Sequence, residues 1–153
     1  RIEFVLLGDQ ALDKRKDSTV LDIGTGSGVL IFTAVLGGMN EGIGIDIDSC
    51  ARVEAAANVK INGLEDRIMI SGQAVETIDQ QFTMVMANLR YPSLIKLFAR
   101  LTKVTDKRGI LILSGIKNGE VADLLEVYTQ TYFKCLWIVN ELDWRGVVLQ
   151  KIG

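Results

Sequence analysis

The first apolar run of the chain, Thr19–Ile23, ends in a glycine-rich turn. The turn consists of Gly24, Thr25, Gly26, Ser27 and Gly28. Glycines in this position let a ligand approach the backbone and the N-terminus of the following helix. Asp22 lies two residues before the turn, and its negative charge disfavours a pyrophosphate and favours an ammonium group. The pattern therefore predicts that Asp22 and the turn bind a ligand with an ammonium group and no phosphate.

The spacing of the glycines also separates this turn from a dinucleotide-binding fingerprint. That fingerprint places its third glycine three residues after the second, where this chain has Val29. A nicotinamide-dependent oxidoreductase is therefore the least favoured of the functions considered.

Asp46 lies near the end of the second apolar run, Gly42–Ile47, 24 positions after Asp22. A carboxylate there can accept hydrogen bonds from both hydroxyls of a ribose. The alternative role is a helix N-cap, which Asp48 or Ser49 would fill more naturally. We therefore predict that Asp46 binds a ribose.

The residues after the third apolar run, Arg67–Ser71, suit the edge of an adenine. Gln73 offers an amide side chain and Ala74 a backbone N–H, while the small side chain of Ala74 leaves room for the ring. An ordinary loop glutamine is the alternative. Ile47, next to the predicted ribose ligand, completes the predicted cofactor site.

The elements that position these residues form one alternating pattern of strands and helices. We expect seven strands, of which five are parallel. The last two form an antiparallel hairpin, because their short connection, Glu141 to Asp143, cannot hold a crossover helix. The predicted strands are Thr19–Ile23, Gly42–Ile47, Arg67–Ser71, Phe82–Asn88, Gly109–Ser114, Phe133–Asn140 and Trp144–Lys151. The fold class is thus α/β and Rossmann-like, with helices on both faces of the sheet.

Helical periodicity indicates which faces are buried. The helix after the glycine turn should bury Leu30, Ile31, Ala34 and Val35. The next should bury Cys50, Val53, Ala57 and Ile61. Pro92 is expected in the first turn of a later helix. The whole chain, 1–153, is predicted to be one domain, with residues 1–18 as a lead-in that contains a short amphipathic helix over Ile2 to Leu12.

Composition narrows the chemistry. The chain has no histidine, which excludes triads, dyads and metal sites that need an imidazole, and we predict no metal. Its net charge of −2 gives no basic field that would hold nucleic acid by phosphate neutralisation alone.

Cys50 and Cys135 form no C-x-x-C pair, so we expect buried or half-buried thiols in a reducing compartment. The longest weakly polar stretch, Val29 to Met39, is too short to span a membrane. A cytoplasmic protein without a membrane partner is expected.

Several segments resemble the class I S-adenosylmethionine-dependent methyltransferases. They are V-L-D-I-G-T-G-S-G from Val20, G-I-D-I-D from Gly44, and Asn58 with Asn62-Gly63. Three later segments are similar to the ribosomal-protein lysine methyltransferases of the PrmA type, namely Met86–Leu89, Leu113–Ile116 and Asp143-Trp144. The resemblance implies that S-adenosylmethionine is the cofactor. It implies further that the glycines lie under its methionine part, that Asp46 holds its ribose, and that Gln73 and Ala74 flank its adenine. Asn88 would close the methionine side of the cofactor site and face the methyl acceptor.

The acceptor loop departs from this family. The family has a Gly-Pro-Leu context after the catalytic-strand asparagine, whereas this chain reads N-L-R-Y-P-S-L from Asn88. We also expect no counterpart of the family's N-terminal substrate-docking domain or of its cofactor-covering segment. The resemblance therefore leaves the acceptor open.

Asn88 and Tyr91 stand three residues apart, as in the N-P-P-Y loop of enzymes that methylate amide or exocyclic amino nitrogens. Asn88 Oδ1 would accept amine hydrogens and aim the nitrogen lone pair. Tyr91 would stack on a planar acceptor or cover the cleft, with simple packing as the alternative.

We predict methyl transfer to a nitrogen of a protein or of a small amine. An amino group of RNA or DNA, and a module that binds the cofactor without catalysis, are the alternatives. The oligomeric state is left open.

Overall fold

The computed structural model describes residues 17–153. The amphipathic helix predicted over Ile2 to Leu12 lies outside the described residues. None of the helices in the described range is long and apolar enough to cross a membrane.

Seven strands form one sheet in the order β3-β2-β1-β4-β5-β7-β6. Strands β1 to β5 run parallel to one another, whereas β7 pairs antiparallel with both β5 and β6. The strands are β1 Thr19–Ile23, β2 Glu41–Ile45, β3 Ile68–Ser71, β4 Phe82–Asn88, β5 Thr105–Lys117, β6 Phe133–Glu141 and β7 Trp144–Lys151. The predicted fold class, including the C-terminal hairpin, is confirmed.

Within residues 17–153, five α-helices cover the two faces of the sheet. They are α1 Val29–Leu36, α2 Ser49–Ile61, α3 Tyr91–Lys96, α4 Phe98–Val104 and α5 Val121–Thr129. Alternate residues of β1 show the two faces, since Val20 belongs to the core that α1 and α2 cover and Leu21 to the core that α3, α4 and α5 cover. Strand β4 is buried from Phe82 to Ala87, as a central parallel strand covered on both faces should be.

The buried face predicted for α2 was wrong. Cys50, Val53, Ala57 and Ile61 are all exposed, Val53 at 72% and Ile61 at 80% of its surface. The helix buries Ala55 and Val59 instead. Apolar residues occur on more than one side of this helix, so their spacing alone did not show which side faces the sheet. Cys50 is consequently exposed rather than buried, whereas Cys135 is half-buried as expected.

Two other elements differ from the predicted bounds. The apolar segment after Pro92 divides at Leu97 into α3 and α4, with Pro92 in the first turn of α3 as predicted. Strand β5 is much longer than the predicted Gly109–Ser114 and contains a register shift between Ser114 and Ile116. This shift lies beside the end of β4, where Asn88 was predicted to face the methyl acceptor.

Candidate functional site

The glycine turn has the backbone conformation that only glycine adopts without strain. Gly24, Gly26 and Gly28 have φ angles of 73°, 56° and 87°. The backbone N–H groups of Gly24 and Thr25 both donate to the carbonyl oxygen of Ile45, at 2.9 and 3.0 Å. A side chain on Gly26 would meet no atom within 4 Å, so the turn has an open face there. The turn is thus fixed to the end of β2 and accessible at its middle residue.

Asp22 lies beneath the turn. Its side chain is fully buried, and Thr25 Oγ1 donates a hydrogen bond of 2.7 Å to Asp22 Oδ2. This contact fixes the shape of the turn from below. Neither residue lines the cavity described below, so their direct contact with a cofactor stays a prediction.

Asp46 connects the turn to the loop after β2. Its Oδ2 accepts from Gly26 N at 3.0 Å, and its Oδ1 accepts from Asp48 N at 2.9 Å. Asp48 is the N-cap of α2, because its Oδ1 accepts from Cys50 N at 2.8 Å. The prediction that Asp48 could fill the capping role is confirmed. Each carboxylate oxygen of Asp46 retains a lone pair for a further donor.

Two side chains that sequence analysis did not single out as ligands hold this region together. Arg52 Nη1 donates to the carbonyl oxygens of Asp46 and Ile47, at 2.9 and 3.0 Å. Asn58 Nδ2 donates to the carbonyl oxygen of Ser27 at 3.0 Å. Asn58 belonged to a recognisable motif, whereas nothing in the sequence marked Arg52, whose partners are backbone atoms.

A cavity of about 570 Å³ opens beyond the carboxyl ends of β1, β2 and β3. Five predicted cofactor residues line it: Gly24, Asp46, Ile47, Gln73 and Ala74. The remaining lining residues are Ile23, Ile45, Val75, Glu76, Leu89, Ser93, Lys96 and Leu97. Ile47 is 96% exposed, so its side chain lies at the rim. We call this the cofactor cavity.

A second cavity of about 410 Å³ lies between the end of β4 and the hairpin. Its walls are Asn88, Ser114, Gly115, Val139, Glu141, Leu142, Trp144, Arg145 and Gly146. Asn88 lines this cavity and the next residue, Leu89, lines the cofactor cavity. The two cavities therefore lie on either side of the end of β4. We call the second one the hairpin cavity.

Of two aromatic residues near the end of β4 and the hairpin, Tyr91 and Trp144, only Trp144 lines a cavity. Tyr91 is half-buried, packs against the core and lines neither cavity. Its catalytic role stays a prediction. Trp144 is 48% exposed and lines the hairpin cavity, whereas Trp137 does not line it. The Asp143-Trp144 segment of the resemblance was the available signal.

Tyr128 supports the helix that borders the cofactor cavity. Its hydroxyl donates to the carbonyl oxygen of Leu94 in α3 at 2.6 Å, and its ring is fully buried. Burial raises the pKa of Tyr128 well above its ordinary value near 10. The neutral phenol therefore anchors α3, which contributes Ser93 and Lys96 to the cavity wall.

The sheet topology and a cofactor cavity beside the end of β4 are typical of the class I methyltransferase domain. A family model described as ribosomal protein L11 methyltransferase (PrmA) matches residues 6–152. The chain therefore belongs to the PrmA family, which confirms the resemblance seen in the sequence.

Named relatives agree with this assignment. A ribosomal protein L11 methyltransferase of Desulfotalea psychrophila is 34% identical over 139 residues, which cover 90% of this chain and 46% of the relative. Another, of Geobacter sp., is 34% identical over 148 residues, which cover 95% of this chain and 47% of the relative. The chain thus spans about half the length of the curated relatives it matches.

Solved structures show the same fold. The ribosomal protein L11 methylase of Lactobacillus delbrueckii subsp. bulgaricus superposes with a TM-score of 0.87 at 24% identity, covering 99% of this chain and 78% of that one. An RNA methyltransferase of Salinibacter ruber, in complex with S-adenosyl-L-homocysteine, gives a TM-score of 0.77 at 18% identity, covering 99% and 90%. At these identities the likeness concerns the fold.

Proposed function

We propose that this domain binds S-adenosylmethionine in the cofactor cavity and transfers its methyl group to a nitrogen of a protein. The observation that carries the proposal is the placement of Asp46, Gln73 and Ala74 around one cavity, with Asn88 facing a second cavity across the end of β4. A donor and an acceptor bound in these two places would meet beside Asn88.

The residues present fit the cofactor. The volume of about 570 Å³ lies within the usual range for small-molecule sites. Asp46 is half-buried and keeps a free lone pair on each oxygen for the ribose hydroxyls. The open face at Gly26 lets the methionine part lie against the backbone. Gln73 and Ala74 stand at the exposed rim, where the adenine edge would be read.

The bound cofactor supplies a methyl group on a positively charged sulfur. The domain's own task is to hold the acceptor nitrogen in line with that methyl group and to exclude water. Asn88 Oδ1 accepts a hydrogen of the acceptor amine and so directs the nitrogen lone pair. Leu89 provides an apolar surface on the cofactor side of Asn88, and Trp144 does so on the acceptor side.

The hairpin cavity suits an acceptor side chain with an aliphatic stem. Val139, Leu142 and Trp144 give it apolar walls, and Glu141 contributes a carboxylate that attracts a cationic amine. That amine releases a proton to Glu141 or to water before its lone pair attacks the methyl group. The relatives carry the name ribosomal protein L11 methyltransferase, and a protein amine fits both that name and these walls. A cytoplasmic location, where both cysteines stay reduced, belongs to the same proposal.

The test is transfer of a radioactive methyl group from S-adenosylmethionine to purified ribosomal protein L11, with total ribosomal RNA as the alternative acceptor. We expect label on the protein with the unaltered chain and labelling that is slower by about 100-fold or more with Asn88→Ala. Trp144→Ala should raise KM for the protein several-fold, whereas Trp137→Ala, its matched control in the same hairpin, should not.

Two results would overturn the proposal. Label on RNA alone, with a steep loss of RNA binding as salt rises, would identify a nucleic-acid methyltransferase. Tight binding of S-adenosylmethionine without turnover on either acceptor would identify a module that binds the cofactor without catalysis.

A further inference from the structure

Strand β5 holds the end of β4 through contacts that the proposed function does not use. Asn88 and Ser114 are direct neighbours in the parallel pairing of these strands. Ser114 Oγ donates to Asn88 Oδ1 at 3.0 Å, and Leu89 N donates to the carbonyl oxygen of Ser114 at 3.1 Å. One residue of β5 therefore contacts both the side chain of Asn88 and the peptide that follows it.

A bulge in β5 makes this close approach feasible. Gly115 has a φ of 85°, and the pairing of β5 with β7 shifts register between Ser114 and Ile116. A Cβ atom on Gly115 would lie 2.6 Å from the carbonyl oxygen of Leu89 and 3.2 Å from Asn88 Oδ1. Only glycine leaves room for the carbonyl group of Leu89 here. Bulges commonly redirect side chains near active sites.

We infer that Ser114 is a positioning residue for methyl transfer, which acts by fixing the amide plane of Asn88. An asparagine side chain otherwise rotates about a broad terminal torsion. Donation from Ser114 occupies one lone pair of Asn88 Oδ1 and leaves the other for the acceptor amine. Both residues line the hairpin cavity, so the fixed amide faces the acceptor. This inference rests on the proposed function, because Asn88 is the group that is oriented.

The kinetic test uses Ser114→Ala and Ser114→Thr, each alone and combined with Asn88→Ala. Loss of one neutral hydrogen bond predicts that Ser114→Ala lowers kcat about 10-fold and leaves KM unchanged. Ser114→Thr keeps the hydroxyl, and Ser114 is half-buried at a cavity wall with room for a methyl group, so it should restore most of kcat. In the Asn88→Ala background, Ser114→Ala should cost nothing further. An unchanged kcat in Ser114→Ala, or an equal loss in both backgrounds, would overturn the inference.

A second measurement does not depend on turnover. The side-chain amide signals of Asn88 in a nitrogen-15 NMR spectrum are identified by their absence in Asn88→Ala. We expect Ser114→Ala to shift these signals, and Ser114→Thr to leave them near their original positions. Unmoved Asn88 signals in Ser114→Ala would overturn the inference even if no acceptor were found. If the unaltered chain transfers no methyl group but the signals move, the proposed function fails while the contact between the residues stands.

Discussion

The cofactor cavity and the hairpin cavity are built from different kinds of contact. Around the cofactor cavity, side chains bridge separate loops. Asp46 binds the N–H of Gly26, Arg52 binds two carbonyls of the loop after β2, and Asn58 binds the carbonyl of Ser27. The glycine turn and the β2 loop thus fix each other, with partners supplied by α2.

The wall of the hairpin cavity depends on more local contacts. Arg145 Nη1 donates to the carbonyls of Leu142 and Trp144, at 2.9 Å each, within the same hairpin. Leu142 at its tip is 92% exposed and has a φ of 52°. Hydrogen bonds within the chain therefore preorganise the cofactor cavity. The hairpin cavity instead has an exposed wall that a methyl acceptor can cover.

The largest effect should separate the two cavities by function. Asn88→Ala removes the amide oxygen that accepts a hydrogen of the amine and directs its nitrogen lone pair. We therefore expect kcat to fall by about 100-fold or more. The dissociation constant for S-adenosylmethionine should stay nearly unchanged, because Asn88 does not line the cofactor cavity. Steady-state kinetics and calorimetry on the same preparation measure both quantities. A large loss of cofactor affinity would contradict the division.

A second substitution tests the carboxylate of the cofactor cavity. Asp46→Ala should weaken binding of S-adenosylmethionine by about 1–3 kcal/mol, or roughly 5- to 150-fold, because it removes charged hydrogen-bond acceptors. The matched control is Asp48→Ala, which removes only the cap of α2. The control should cost about 1 kcal/mol of unfolding free energy and little affinity. Equal losses of affinity in both variants would remove the assignment of Asp46 to the ribose.

A third substitution tests whether the glycine turn is a fixed shape. A Cβ atom on Gly28, at a φ of 87°, would lie 2.4 Å from the Phe32 ring. Gly28→Ala should therefore lower the free energy of unfolding by about 2–3 kcal/mol in urea titrations. Gly63→Ala, at a φ of 63° with no atom within 4 Å, should cost about 1 kcal/mol. Similar losses of unfolding free energy in the two variants would show that the turn or the Phe32 ring moves to relieve the contact.

The smallest effect concerns the anchor of α3. The folded state holds Tyr128 neutral with a raised pKa, while in the unfolded chain it ionises near its ordinary value of 10. Its contribution to stability is therefore complete below about pH 10 and is lost as pH rises above that value. Unfolding free energy measured at pH 8 and pH 10.5 should fall less in Tyr128→Phe than in the unaltered chain. Tyr132→Phe, at a 45% exposed position, should retain the original pH dependence.

The sequence predicted the residues that line the cofactor cavity better than those that line the hairpin cavity. The features that form the cofactor cavity are local in sequence. The glycine turn needs positive φ angles at fixed positions, and Asp46 follows its strand directly, so both leave a readable pattern. Arg52 left none, because its partners are backbone carbonyls that any sequence provides. The buried face of α2 was misread because its apolar residues lie on more than one side, so their spacing did not distinguish the buried Val59 from the exposed Val53 and Ile61.

The hairpin cavity could not be predicted for a different reason. It forms only when the tip of the hairpin folds beside the end of β4, which joins residues 88 and 144 across the fold. The strand pairing was predictable from the short connection, but the bulge at Gly115 that brings β5 against Leu89 was not.

The central claim is that the cofactor cavity binds S-adenosylmethionine, and calorimetric titration of the purified chain tests it most directly. S-adenosylmethionine, S-adenosylhomocysteine and NAD should be titrated in parallel, with Asp46→Ala as the control variant. We expect the first two to bind, more weakly in Asp46→Ala, and NAD to give no heat. Binding of NAD alone, or binding of S-adenosylmethionine that Asp46→Ala leaves unchanged, would contradict the account.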